Sequence, residues 1–128
     1  MARDRRSNCP VSCTLDILGD RWSLLLVRDM LLGKERFDEF LASQEGIATN
    51  ILADRLARLT DLGLAEQQPN PDHRGRATYH LTERGVRLRK VVAAVAEWGL
   101  ENIRGTRVLP EARKLTRSTR RPASSARA

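Results

Sequence analysis

The stretch "ATNILADRLARLTDLGL", residues 48 to 64, constrains this chain more than any other. Leu52, Leu56 and Leu59 recur at i, i+4 and i+7, which lines one face of a helix, and Gly63 followed by Leu64 matches a Schellman stop with its hydrophobic contact. The opposite face carries Asn50, Asp54, Ala57, Arg58 and Asp61, all short or only lightly charged as a set. A helix of this kind must bury its leucines in a core. Its outer face is then either solvated or built to lie in something.

The flanking sequence supplies the core. After Pro10, Val11, Leu15 and Leu18 stand at helical spacing, Gly19 is placed to stop the helix, and Asp20 can cap the next one. That second helix, "RWSLLLVRDMLLG", is apolar nearly all round, which marks a central buried helix. A third helix is expected from Asp38 to Ser43, with Phe37, Phe40 and Leu41 turned inward and Gly46 ending it. Together with the leucine-striped helix it forms a helix-turn-helix unit.

Beyond Leu64 the period changes from helical to alternating. "LAEQQP" and "RATYHL" are short candidate strands joined by "NPDHRG", whose Pro71, Asp72 and Gly75 supply turn chemistry. Thr82 offers an N-cap, and from Glu83 the positions Val86, Leu88, Val91, Val92, Val95 and Trp98 resume helical spacing to about Arg104. The predicted fold is mainly α with a small β-hairpin: a winged helix-turn-helix with an additional helix at each end. Both end helices carry more apolar surface than so small a core can cover, so a two-fold homodimer is expected, with Val11, Leu15, Leu88, Val91, Val92, Val95 and Trp98 at its interface.

The 128 residues suit one globular domain. Their net charge of +7 belongs to the ends: seven basic residues face Glu111 alone within 106–128, whereas 9–105 holds 13 basic against 14 acidic residues. Residues 1–8 read as a flexible basic N-terminus and 106–128 as a disordered basic tail, which either adds sequence-blind attraction to phosphate or only aids solubility. No apolar run approaches the ~18 residues needed to span a bilayer, so no membrane partner is expected and the protein reads as cytoplasmic.

"CPVSCTLDILGDRWSLLLVRDMLLG", "RFDEFLAS", "GIATNILADRLARLTDLGL" and "YHLTERG" occur in order, and in them the chain resembles the HxlR-type bacterial transcriptional regulators, relatives of the MarR-like winged-helix dimers. The similarity runs from residue 9 to about 99, and the domain is placed at 9–105. The resemblance implies a dimer acting on promoter DNA. Ala48 departs from the serine cap that many relatives carry, a loss of ~1 kcal/mol in helix-start stability unless Thr49 serves instead.

B-DNA's major groove admits one α-helix, whose outward side chains reach base edges. Asn50 suits a bidentate contact with adenine, Thr49 a phosphate or a thymine methyl, and Arg58 a phosphate or guanine. Arg55 lies nearer the leucine stripe and is expected to brace the domain through an internal ion pair. Asp54 repels phosphate, so it either pairs with Arg58 or accepts from a cytosine amino group. The hairpin turn presents His73, Arg74 and Arg76, as a wing needs to enter the minor groove or follow the backbone. The rival is a winged-helix module that binds another protein without reading DNA; an apolar outer face would mark it.

Cys9 precedes Pro10 at a helix start, with Arg5 and Arg6 nearby, an arrangement that favours thiolate. Some members of the resembling family sense oxidants or electrophiles at this place. Cys13 follows one turn later, and two reduced, inert thiols packed at a dimer interface are the commoner arrangement in a cytosolic chain. Two cysteines with no nearby histidine do not close a zinc shell, so neither metal nor other cofactor is expected. His73 and His80 stand in no catalytic spacing and no phosphate-cradling glycine loop is present, which argues against an enzyme. Trp22 and Trp98 read as core and interface residues, leaving room for a small-molecule effector between them and the dimer helices.

Overall fold

The computed structural model describes residues 5–70 and 77–108. Six helices and one hairpin follow in the order α1 (Pro10–Leu18), α2 (Ser23–Leu31), α3 (Phe37–Leu41), α4 (Thr49–Asp61), β1 (Ala65–Pro69), β2 (Ala77–Leu81), α5 (Glu83–Val86) and α6 (Arg89–Asn102). The strands pair antiparallel, with Ala65 opposite Leu81 and Pro69 opposite Ala77. A single bridge between Arg36 and Thr78 adds the residue before α3 to the free side of β2, so the helix-turn-helix unit and the hairpin share one small sheet.

The leucine stripe does what its spacing requires. Leu52, Leu56 and Leu59 are fully buried, packed with Leu26, Val27, Met30, Phe40, Ile47 and Leu64. α2 packs against α4, α6 and β2, the central position that its apolar circumference demands. The stop after α4 is a Schellman motif: Gly63 has φ +76°, its N–H reaches the Thr60 carbonyl, and the Leu64 N–H reaches that of Leu59. α3 is shorter than expected, ending at Leu41 rather than Ser43.

The chain after the hairpin departs more from expectation. In place of one helix from Glu83 to about Arg104, a single turn, α5, is followed by a break at Arg87 and Leu88 before α6 starts. Thr82 caps α5, its hydroxyl accepting from the Gly85 N–H at 3.1 Å and donating to the Gly63 carbonyl at 2.7 Å. Those two hydrogen bonds hold α5 against the end of α4. The approach is so close that a Cβ on Gly85 would lie 2.0 Å from the Leu64 carbonyl oxygen. A 3₁₀-type bond from Leu88 N–H to Gly85 closes the turn, and α6 then resumes along α2.

Buried polar groups brace this frame. Asp29, on α2 and 2% exposed, accepts from Arg28 and from the Ser43 hydroxyl at 2.6 Å, while Lys34 donates to Ser43. Arg28 also grips both carboxylate oxygens of Glu45, each at 2.9 Å, tying the turn between α3 and α4 to α2. The Glu45 hydrogen bonds hold the Arg28 guanidinium charged, and Arg28 in turn lowers the Glu45 pKa.

Most of the apolar surface left over among the described residues lies on the end helices, with Val86 on α5 exposed as well. Val11 and Leu15 on α1, and Val95, Trp98 and Leu100 on α6, are exposed, as is Ile103 just after it. Leu88, Val91 and Val92, grouped with them on spacing, are half-buried, and Leu88 and Val92 also pack against the protomer's own core. Trp22 also packs against the core.

Candidate nucleic-acid interface

α4 opens at Ala48, which makes no side-chain cap hydrogen bond; Thr49 at the first helical position does not replace the missing serine oxygen. The side chains exposed along its outer face are Thr49, Asn50, Ala53, Asp54, Ala57 and Asp61. Asn50 is thus one member of a strip in which Ala53 and Ala57 leave room for close approach of another surface. Ala53 was not singled out by sequence reasoning, although its three-residue spacing from Asn50 places it on the same side.

The arginines of this helix behave otherwise. Arg55 donates from Nε to Asp20 at 3.0 Å and pairs with Asp54 beside it. The internal ion pair expected of Arg55 is therefore present. Asp54 pairs with Arg55, not with Arg58 one turn on. Arg58 turns to α1, donating to the carbonyl oxygens of Ile17 at 2.7 Å and Asp16 at 2.8 Å, with Asp20 at 3.7 Å. Its direction is a matter of placement: Arg55 and Arg58, three apart, share the flank of α4 next to α1, where the last carbonyls of a helix and the Asp20 carboxylate both attract a guanidinium.

Asp20 carries most of the local charge balance. Burial pushes its carboxyl up, but hydrogen bonds from the Ser23 hydroxyl, the Trp22 N–H and Arg55 outweigh it and bring the pKa down to about 2. Asp20 is not the N-cap residue expected of it, since α2 starts later, with Trp22 at the N-cap, but its carboxylate still accepts the N–H groups of Trp22 and Ser23 at the helix start, each at 3.0 Å. At α3, Glu39 plays a similar part: N–H groups of Glu35 and Arg36 reach its Oε1 at 2.8 and 2.9 Å and lower its pKa.

β1 and β2 rise beside α4. His73, Arg74 and Arg76, assigned to the wing tip, lie outside the described residues. At the hairpin's base His80 does have an acidic neighbour, Glu35 at 3.7 Å, and its Nε2 lies 2.9 Å from the Thr78 hydroxyl oxygen. The arrangement joins the strand to the segment before α3.

At the other end of the molecule Cys9 stands at the N-cap of α1, fully exposed, with Pro10 at the first helical position. The N–H groups of Ser12 and Val11 favour its thiolate and draw its pKa below the ordinary thiol value. Arg6 does not take part: it pairs with Asp16 at 2.7 Å. Cys13 is half-buried and donates from Sγ to the Ser7 carbonyl at 3.4 Å; both thiols are free. Among the described residues no cluster of histidine, cysteine or carboxylate side chains could hold a metal ion, and no helix is long and apolar enough to cross a membrane.

The HxlR-like helix-turn-helix family matches residues 17–107, covering all of α2 to α6 and with them the striped helix, the Schellman stop and the hairpin. The chain belongs to the HxlR-like helix-turn-helix family. It is 33% identical over 97 residues to the uncharacterized HTH-type transcriptional regulator YybR of Bacillus subtilis, covering 76% of this chain and 78% of that one. Some mycobacterial relatives are longer, the chain spanning 57% of their length. Among solved structures it resembles the redox regulator HypR in its reduced form, with a TM-score of 0.66 and 33% identity over 73% of this chain and 93% of that one. The reduced transcriptional regulator YodB of B. subtilis gives 0.64 and 27%, covering 79% of this chain and all of the other. This HxlR-like protein is accordingly an HTH-type transcriptional regulator, a DNA-binding protein rather than an enzyme.

Proposed function

We propose that the protein binds an inverted-repeat operator as a homodimer and represses by occupying promoter DNA, with α4 in the major groove and the hairpin alongside it. The observation that carries this reading is the outer strip of α4: Thr49, Asn50, Ala53 and Ala57 face outward, unobstructed, at a helix whose other faces are committed to the core and to α1. Asn50 is the candidate for adenine and Thr49 for a phosphate or thymine methyl, with Asp54 alongside and His73, Arg74 and Arg76 assigned to the wing. The exposed side chains of Val11, Leu15, Val95 and Trp98 support a second copy as the missing layer. A strip of this polarity does not suit a protein-protein module, which would place apolar side chains there.

Cys9 is proposed as the point where an oxidant or electrophile acts: its exposure and favoured thiolate are the two conditions for reactivity. HypR and YodB support the assignment as redox-related relatives. A mobility shift on the protein's own upstream DNA at two salt concentrations tests the operator reading: specific, salt-weakened binding is expected, and no binding even at low salt would overturn it. Diamide is expected to change that affinity in the wild type and to leave Cys9→Ser unaffected; an equal response in both would remove Cys9 from the sensing role.

A further inference from the structure

α1 is held to the rest of the protomer in an unusual way. Of its residues only Leu18 is buried, with Ile17 packed against the core beside it, so apolar packing holds α1 only at its C-terminal end. Its last carbonyls, which have no intrahelical partners, are met by an arginine from α4: Arg58 donates to Ile17 and Asp16, a bidentate grip on two successive carbonyl oxygens. Asp20, directly after α1, takes the neighbouring Arg55 at 3.0 Å and is itself fixed from the other side by the Trp22 and Ser23 N–H groups and the Ser23 hydroxyl at 2.6 Å. α1, its junction with α2 and one flank of α4 therefore meet in a single charged cluster.

We propose that Asp20, Arg55 and Arg58 form a clasp that sets the angle between the recognition helix and α1, and that Arg58 is a positioning residue rather than a reader of bases. The inference rests on the reading that α1 lies at the seam of the dimer. Given that seam, the angle between α1 and α4 fixes how far apart and how inclined the two copies of α4 stand, and so which half-site spacing the dimer accepts. Base choice within a half-site stays with Thr49 and Asn50. A lysine at position 58 keeps a charge able to meet a phosphate but has no planar fork for two carbonyls, which makes it the informative substitution.

The test is competition binding by the full-length protein against its operator, against the same half-sites with the spacer changed by two base pairs, and against single substitutions within a half-site. Arg58→Lys is expected to lower the preference for the native spacing about tenfold while base preference stays unchanged, in the range for breaking one network of contacting residues. Asp20→Asn, which alters no residue of α4, is expected to reproduce that effect, and the double variant to fall short of the two combined. Circular dichroism establishes that each variant is folded; Asp20→Asn carries the test alone if Arg58→Lys is not. Loss of discrimination at one base pair in Arg58→Lys, with spacing preference intact, would show that Arg58 reads DNA directly and overturn the clasp. Unchanged spacing preference in Asp20→Asn would overturn it as well while leaving the operator reading standing. Failure of the wild type to bind any inverted repeat would instead remove the dimer reading and the spacing role together.

Discussion

The two ends of α4 are held in opposite ways. Toward its C-terminal end the helix is anchored from several directions: Arg55 and Arg58 join α1 and Asp20, Arg84 donates to the Leu62 carbonyl, and Thr82 and Gly85 press against the Schellman turn. At its N-terminal end Ala48 supplies no cap, and Thr49 and Asn50 are exposed. One helix thus carries a fixed end that sets its direction and a free end able to meet a ligand. The difference matters because base contacts discriminate only when the helix presenting them has a defined orientation.

Substitutions at the two ends should therefore separate binding from stability. The largest effect is expected at the free end: Asn50→Ala should reduce discrimination between the operator and a site altered at the contacted base by roughly 5- to 150-fold, corresponding to ~1–3 kcal/mol, with little change in urea midpoint. Competition binding and equilibrium unfolding measured on the same preparation check both halves. A fall in stability without a fall in discrimination would place Asn50 in the fold and not at the interface.

The anchored end should respond to acid. The carboxyl of Asp20 lies at about 2 in the folded protein against an ordinary 3.8, so the folded state binds its proton less readily. Its stabilising contribution is present above the unfolded-state pKa and is lost as the pH falls from about 4 toward 2, by about 1–2 kcal/mol once solvent screening is allowed for. Urea unfolding across that interval should show a smaller loss in Asp20→Asn than in the wild type; equal losses would mean that the anchor does not depend on this charge. The smallest effect is a gain. Ala48→Ser supplies the absent cap oxygen and should stabilise the protein by ~0.5–1 kcal/mol in the same assay.

The same contrast runs through what the sequence made legible. Spacing rules captured features set by local geometry: the buried Leu52, Leu56 and Leu59, the turn at Gly63 and the hairpin pairing all follow from residue type and period. Long side chains escaped those rules. Arg58 sits between the inner and outer faces of α4, and whether it reaches to solvent or to α1 depends on where α1 ends in space. Arg6 likewise prefers Asp16 to the Cys9 sulfur because an ion pair was within reach. The break at Arg87 and Leu88 was hidden because Leu88, Val92 and Val95 take up helical spacing directly at it, with apolar Val86 just before; the decisive signal was Gly85, whose close approach to Leu64 is a tertiary fact.

The central claim is that two copies of α4 present the outer strip from Thr49 to Ala57 to successive grooves of one duplex. Footprinting of the purified protein on its upstream DNA measures this most directly. The account predicts paired protected segments related as an inverted repeat, their centres about 34 Å apart, one turn of B-DNA. Protection of a single isolated half-site would contradict it.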